Sequence, residues 1–423
     1  MYRQRPLALP VFFYWGDYDG PIELSQRGGC AMSNANRAVC AYERIPYIIV
    51  FDETARFKDT YGGEIGRVTL KAHLLRPRGR PSRTVIVFMH PIGGGEYLPM
   101  PVALAKAGFH VIYCNSRYPG VDYALIMEKV AIDLGACVRD AKERWTYDKV
   151  VLGGWSGGGS LSAFYQSQAE HPTVTATPAG DPPDLTSAAL IPADGVMFLA
   201  AHVSRARTLT EWMDPSILDE ARPEVRIPEL DLYDPANPNQ PPFGNEFIER
   251  YRAAQVERNR RITSWVKSKL DQLRLQGRIA DEFSFVVHGT MADPRFLDPA
   301  LDPNDRKPRW CYLGDPQVVN NSPIGLARFC TLRSWLSQWS LDDSNADGER
   351  CTRRISVPIL VVGNSADDAC TPSHTLRLYD AISHSRKELA EIKDATHYYI
   401  GQPRQLDEAI DIISNWLGNN GLV

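Results

Sequence analysis

The chain reads as an α/β protein with a mostly parallel central sheet flanked by helices and a large, mainly helical cap. Three observations predict this. Short, wholly apolar runs such as Thr84–Met89 and Gly195–Ala201 have the composition of strands buried on both faces. Helical patterns alternate with them, as β-α-β units require. About 155 residues separate the run ending near Ala201 from the one starting at Val357, far more than an ordinary connection, so that segment must carry structure of its own.

The elements follow in order. Residues 1–31 show neither helical nor strand period. Leu7–Trp15 is apolar, but Pro10 breaks it, Gly16-Asp17-Tyr18-Asp19 follows, and no small-residue cleavage site appears. Residues 1–40 are therefore expected to be an N-terminal extension, disordered or packed as an arm, and a chain beginning at Met32 is expected to fold and keep its activity. The first part of the core is assigned to residues 41–201. Ile45–Phe51 and Glu64–Leu75 predict two antiparallel strands. Thr84–Met89 predicts a buried strand, Leu98–Ala107 a helix ended by Gly108, and Phe109–Cys114 the next strand. Val121–Trp145 has the period of a long amphipathic helix. Asp148–Gly153 predicts a strand, Gly157–Glu170 a helix, the Pro-rich stretch 172–192 a loop, and Gly195–Ala201 a strand. Residues 202–355 form the expected cap; within it Asn245–Gln276 spaces Phe247, Tyr251, Ile262, Trp265, Val266 and Leu270 as a helix does. Residues 356–423 complete the core, with strands at Val357–Val362 and Lys387–Ile392 and helices at Ser373–Ser383 and Leu406–Leu417.

Composition narrows the function. Hydrophobic residues are 43% and charged residues 23%, ordinary globular usage that excludes dominant disorder or coiled coil. Lys plus Arg is 47 against 51 Asp plus Glu, which leaves −4 and no strong field to gather nucleic acid or an anionic membrane. No apolar run approaches the roughly 20 residues that span a bilayer. The eight Cys stand singly without a C-x-x-C pair, so neither a zinc site nor thioredoxin-type chemistry is expected. The reading is of a cytoplasmic protein with no metal site; a homo-oligomer is left open.

The sharpest motif is Gly154-Trp155-Ser156-Gly157-Gly158, a G-x-S-x-G pattern between the apolar strand Lys149–Leu152 and the helical segment Leu161–Tyr165. Strand, sharp turn and helix are what a nucleophile elbow needs. The serine hydroxyl then stands at a helix N-terminus, where free N–H groups favour a developing negative charge. A phosphate loop would need Lys before its Ser or Thr, but Gly159 precedes Ser160; a dinucleotide fingerprint would sit on the first β-α turn, and this is the third. A nucleophilic Ser needs a base, and the base an acid. Of nine His, His397 is best placed, in a loop after the last strand. His374 and His384 read as surface residues, His110 lies at the wrong strand end, and His90 and His202 end strands at the right edge without following an acid. The acid comes from Asp367-Asp368 after the preceding strand; Asp367 is preferred, with Asp368 the alternative. The order Ser156, Asp367, His397 is nucleophile, acid, base. For the oxyanion, Gly157 offers one N–H; in His90-Pro91-Ile92-Gly93-Gly94-Gly95, Pro91 has none, and Ile92 is the first donor available.

On these motifs the chain resembles the α/β-hydrolase superfamily, over residues 45–200 and 355–420, and is similar to a bacterial esterase-like branch with a large cap. The resemblance implies hydrolysis through an acyl-enzyme without a cofactor. It departs at Pro91, where many members have Gly. The reaction expected is cleavage of a carboxylic ester or lactone of a small to medium apolar or aromatic substrate. Amide or C–C bond hydrolysis with the same triad, or a non-catalytic binding protein on this fold, are the alternatives. Weaker features have plainer readings. The nine Lys/Arg and four Asp/Glu between Glu246 and Arg278 suit a charged outer helix face. Asp293, Asp298, Asp302 and Asp305 lack calcium-loop spacing and suit turns. Trp310, Trp335 and Trp339 are expected in the cap's core.

Overall fold

The computed structural model describes residues 31–32, 38–53, 65–95, 98–323, 325 and 329–423. Of the expected extension over residues 1–40, residues 1–30 and 33–37 lie outside the described ones, and Ala31–Met32 pair antiparallel with Ala38–Val39. Eight strands form one sheet: β1 (Tyr42–Asp52), β2 (Arg67–Pro77), β3 (Thr84–Phe88), β4 (His110–Cys114), β5 (Lys149–Ser156), β6 (Gly195–Ala201), β7 (Ile359–Asn364) and β8 (Lys387–Ile392). Their spatial order is β1-β2-β4-β3-β5-β6-β7-β8. β1 and β2 pair antiparallel, β2 pairs antiparallel with β4, and every later pairing is parallel.

The wholly apolar runs have a direct cause. Alternate side chains of a strand leave opposite faces, and here both faces are covered. Val85 and Val87 of β3, Val196 and Phe198 of β6, and Ile359 and Val361 of β7 enter one core with α2 (Met127–Glu143), α3 (Gly157–Glu170) and α6 (Pro372–Ala381). Their neighbours Ile86, Phe88, Met197, Leu199, Leu360 and Val362 enter the other, with α1 (Pro99–Lys106) and α7 (Pro403–Asn419). Each such side chain, once buried, stabilises the fold by about 1.5–3 kcal/mol.

Helix α2 begins at Met127, six residues later than the amphipathic period suggests. The reason is tertiary. The backbone before it is held by the segment between β6 and β7: Gln338 Nε2 donates to Asp122 O at 2.6 Å, Ser334 Oγ to Tyr123 O at 2.6 Å, and Met127 N–H to Ser337 Oγ at 2.8 Å. Backbone groups captured this way are not available for a helical ladder.

The regular structure of that segment is mainly helical. It holds α4 (Arg205–Trp212), the 31-residue α5 (Asn245–Leu275) and several shorter helices, joined by long irregular stretches and a two-stranded ribbon of Ser284–Val286 with Phe329–Thr331. Its own apolar cluster includes Leu209, Trp212, Ile262, Val266 and Leu270. Trp335 and Trp339 stack within it, 5.4 Å apart. Trp310 does not join this core; it is 38% exposed, beneath the ammonium of Lys307 at 3.9 Å. Arg258 departs from the outer-face reading of α5: it is buried, and its guanidinium meets Glu220, Asp214 O and His288 O. The exposed pairs Arg260–Asp342 and Lys267–Asp343 fit that reading.

Candidate active site

Ser156 ends β5 and is the N-cap of α3, with φ 53° and ψ −127°. A non-glycine residue rarely adopts this backbone, and such strain persists only where the surroundings impose it. Two glycines make it attainable. A Cβ on Gly154 would lie 2.8 Å from Gly159 Cα, and one on Gly158 would lie 2.6 Å from Met89 O. Both obstacles are backbone atoms that cannot swing aside.

The parallel order of β5, β7 and β8 brings three loops to one edge of the sheet. The loop after β7 carries Asp367, and the loop after β8 carries His397. His397 Nε2 is 3.1 Å from Ser156 Oγ, and its Nδ1 is 2.8 Å from Asp367 Oδ2. The other carboxylate oxygen of Asp367 accepts from the N–H groups of Ala369 and Cys370, at 2.7 and 2.8 Å. All three side chains are at least nine-tenths buried. Asp367 and His397 thus meet Ser156, as expected from chain order, and Asp368 makes no hydrogen bond to the ring. Burial and the neighbouring Asp367 charge raise the Asp368 carboxyl to about 6. Cys370 Sγ lies within 4.8 Å of the Asp367 and His397 ligand atoms, but both oxygens of that carboxylate are already bound as described.

Several contributors carry no motif. Trp155, the variable residue of the elbow, places its ring 4.7 Å from that of His397, and its Nε1 donates to His397 O at 3.2 Å. Asn304, from the β6–β7 segment, donates to Asp367 O at 2.8 Å. Nearby, Arg295 pairs with Asp293 and Glu211 and donates to Thr371 Oγ1, while Asp302 accepts from Ser373. The loop bearing Asp367 is therefore gripped from above. An Asn bound to a backbone oxygen and an Arg bound to carboxylates and a hydroxyl carry no spacing signal, so sequence reading passes over them.

Gly157 opens α3, so its N–H has no partner within the helix. Ile92 N–H, expected as the other oxyanion donor, points to His90 Nδ1 at 3.3 Å. Ser156, Gly157, Ile92 and His90 line one cavity of about 600 Å³. Trp155, Trp212, Tyr312, Phe329 and Tyr398 supply aromatic walls, and Arg205, paired with Asp122, supplies a cation. A larger groove of about 1090 Å³ runs between β1 and α2 and includes none of these catalytic candidates. His90 and His202 end strands beside the cavity, as expected. His374 is not on the surface: it is buried 5.6 Å from the His202 ring, and burial together with Arg295 lowers its pKa to about 4. Burial likewise lowers His90 to about 3 and His202 well below the usual imidazole range.

No protein-family model matches the chain, and no curated protein matches it in sequence. Among solved structures, it is similar to a monoacylglycerol lipase from Paleococcus ferrophilus, at 17% identity over 83% of this chain and 99% of that one, with a TM-score of 0.43. It is similar to Est1E from Butyrivibrio proteoclasticus, at 12% identity over 84% and 95%, with a TM-score of 0.44. It is also similar to an α/β hydrolase, GrgF, from Penicillium, at 11% identity over 89% and 99%, with a TM-score of 0.46. At these values the likenesses carry no argument about substrate or residue roles. The fold rests on the chain's own topology: eight strands in the order β1-β2-β4-β3-β5-β6-β7-β8, helices on both faces, and a strained serine turn between the fifth strand and its helix. That topology is the α/β-hydrolase fold.

Proposed function

We propose that the chain is a serine hydrolase that cleaves carboxylic esters or lactones through an acyl-enzyme. The observation that carries this is the continuous hydrogen-bonded line from Ser156 through His397 to Asp367, at 3.1 and 2.8 Å, on a strained turn at a helix N-terminus. His397 takes the Ser156 proton as Oγ attacks the carbonyl carbon, and Asp367 holds the imidazole in the tautomer that can accept it. Gly157 N–H, free at the start of α3, meets the oxygen as it becomes negative, while the Ile92 N–H is engaged by His90 Nδ1. The proton then passes from His397 to the leaving group, and water reverses the sequence.

The cavity's aromatic walls suit a small or medium apolar or aromatic acyl group. The described cysteines are all free and buried, which fits the proposed cytoplasmic setting. Among the described residues no helix is long and apolar enough to cross a membrane.

Labelling with a fluorophosphonate tests the nucleophile. Wild-type protein is expected to react, and Ser156→Ala is expected to lose labelling and about 10⁴-fold or more in turnover of p-nitrophenyl acetate. Unlabelled wild-type protein would favour a binding role instead.

A further inference from the structure

We infer that His90 is itself an oxyanion donor, its Nε2–H acting beside Gly157 N–H on the carbonyl oxygen attacked by Ser156. The inference rests on the serine hydrolase reading and assigns a side chain to a place where only backbone was expected. It begins with Pro91, which has no N–H to offer. The N–H groups of the next three residues are occupied. Ile92 donates to His90 Nδ1 at 3.3 Å, Gly93 to His90 O at 2.9 Å, and Gly94 to Asn115 Oδ1 at 2.6 Å.

The bond from Ile92 sets the state of the ring. A nitrogen that accepts a hydrogen bond carries no proton, so a neutral imidazole must carry its proton on Nε2. Burial, with the charge of Arg205 against it, keeps this ring neutral around pH 7. Among the described residues none accepts a hydrogen bond from Nε2. The position of that atom then decides its use. A Cβ built on Gly157 would lie 2.7 Å from His90 Nε2. In a helix the Cα–Cβ bond leans toward the N-terminus, the end at which the first N–H groups are also free. Nε2–H and Gly157 N–H therefore meet at one end of α3, in the cavity that also holds Ser156. Accepting from Ile92 at Nδ1 further polarises the ring and strengthens the donor at Nε2. In the reaction Ser156 Oγ bonds to the carbonyl carbon, the C=O π pair moves to oxygen, and the serine proton goes to His397. His90 transfers no proton; it donates a hydrogen bond that tightens as the oxygen becomes negative.

Two substitutions separate this role from support of the loop. The amide of His90→Asn reaches the Nδ1 position and can still accept from Ile92, but it leaves nothing at Nε2. The amide of His90→Gln reaches the Nε2 position and restores a donor. With p-nitrophenyl acetate, His90→Asn is expected to lower kcat by about 10²-fold with little change in KM, and to weaken binding of a phenylpropyl trifluoromethyl ketone in parallel. His90→Gln is expected to recover most of both. Equal losses in the two variants, or full activity in His90→Asn, would overturn the inference. The wild-type protein gives a reading that needs no variant: with ¹⁵N-labelled histidine, binding of the ketone is expected to move a second imidazole N–H signal downfield besides that of His397, and its absence would also overturn the inference. Fluorophosphonate labelling of Ser156 in the wild-type protein keeps the two readings apart, because its failure alone would strike the hydrolase assignment.

Discussion

At the scale of single residues, the site depends on atoms that are missing as much as on those present. Gly158 passes within reach of Met89 O, where a Cβ would sit at 2.6 Å. Gly158→Ala is therefore expected to displace the elbow and to abolish Ser156 labelling in whatever protein remains soluble. Normal labelling would show that the turn has more room than the backbone allows. The neighbouring acids differ in kind. Asp367 is satisfied on both oxygens, whereas Asp368 is raised from its ordinary 3.8 to about 6, by burial first and by Asp367 second. A carboxyl raised on folding holds its proton longer in the folded state, so its contribution to stability is complete below the unfolded value and is lost as pH rises through about 6. Asp368→Asn removes that loss. Thermal denaturation across pH is expected to show the variant gaining on the wild-type protein as pH climbs through this window, and a constant difference would contradict it. In turnover, Asp367→Asn is expected to cost about 10⁴-fold and Asp368→Asn far less; the reverse would make Asp368 the acid.

Among the elements, the β6–β7 segment does more than cover the sheet edge. Arg295, Asp302 and Asn304 bind the loop that carries Asp367, and Ser334, Ser337 and Gln338 hold the stretch that precedes α2. Arg295 is the centre of the first group. Its guanidinium meets the fully buried Asp293 at 2.6 Å and Glu211 beside it. Burial opposes the charge on Asp293, yet Arg252 and Arg295 hold it well below the usual carboxylate range. Arg295→Met leaves that carboxylate with only part of its pairing, and urea denaturation is expected to register a loss of about 3–5 kcal/mol. A loss typical of a surface substitution would mean that Arg252 alone can hold Asp293.

On the scale of the whole molecule, the insertion leaves the sheet after β6 and returns at β7, so its two anchors flank the edge where Ser156, Asp367 and His397 meet. The resulting cavity draws walls from the core, through Trp155 and Tyr398, and from the insertion, through Trp212, Tyr312 and Phe329. A pocket built from both bodies suits a substrate that can be enclosed. Short-chain and aromatic p-nitrophenyl esters are expected to be turned over and an emulsified triglyceride is not; activity confined to the emulsion would mean that the insertion opens at an interface.

The strands, their order of use and the elbow were legible in the chain because each rests on local rules. Strands covered on both faces must be apolar throughout, a tight strand-to-helix turn must be glycine-rich, and a loop at the carboxyl edge must follow its strand. Ser156, Asp367 and His397 could be named together because each follows a recognisable strand. What only the tertiary structure decided are the features set by partners distant in sequence. The start of α2 gave way to capture by Gln338, Ser334 and Ser337, more than two hundred residues on. Arg258 and His374, read as exposed from their local patterns, are buried because Glu220 and the His202 cluster stand against them. The His90 ring acquired its tautomer from the Ile92 N–H and its place from Gly157 across the sheet edge. Local periodicity reports which face of an element is apolar; it does not report which buried polar group will meet which, because that is settled only when separate elements close on one another and every desolvated donor must find an acceptor.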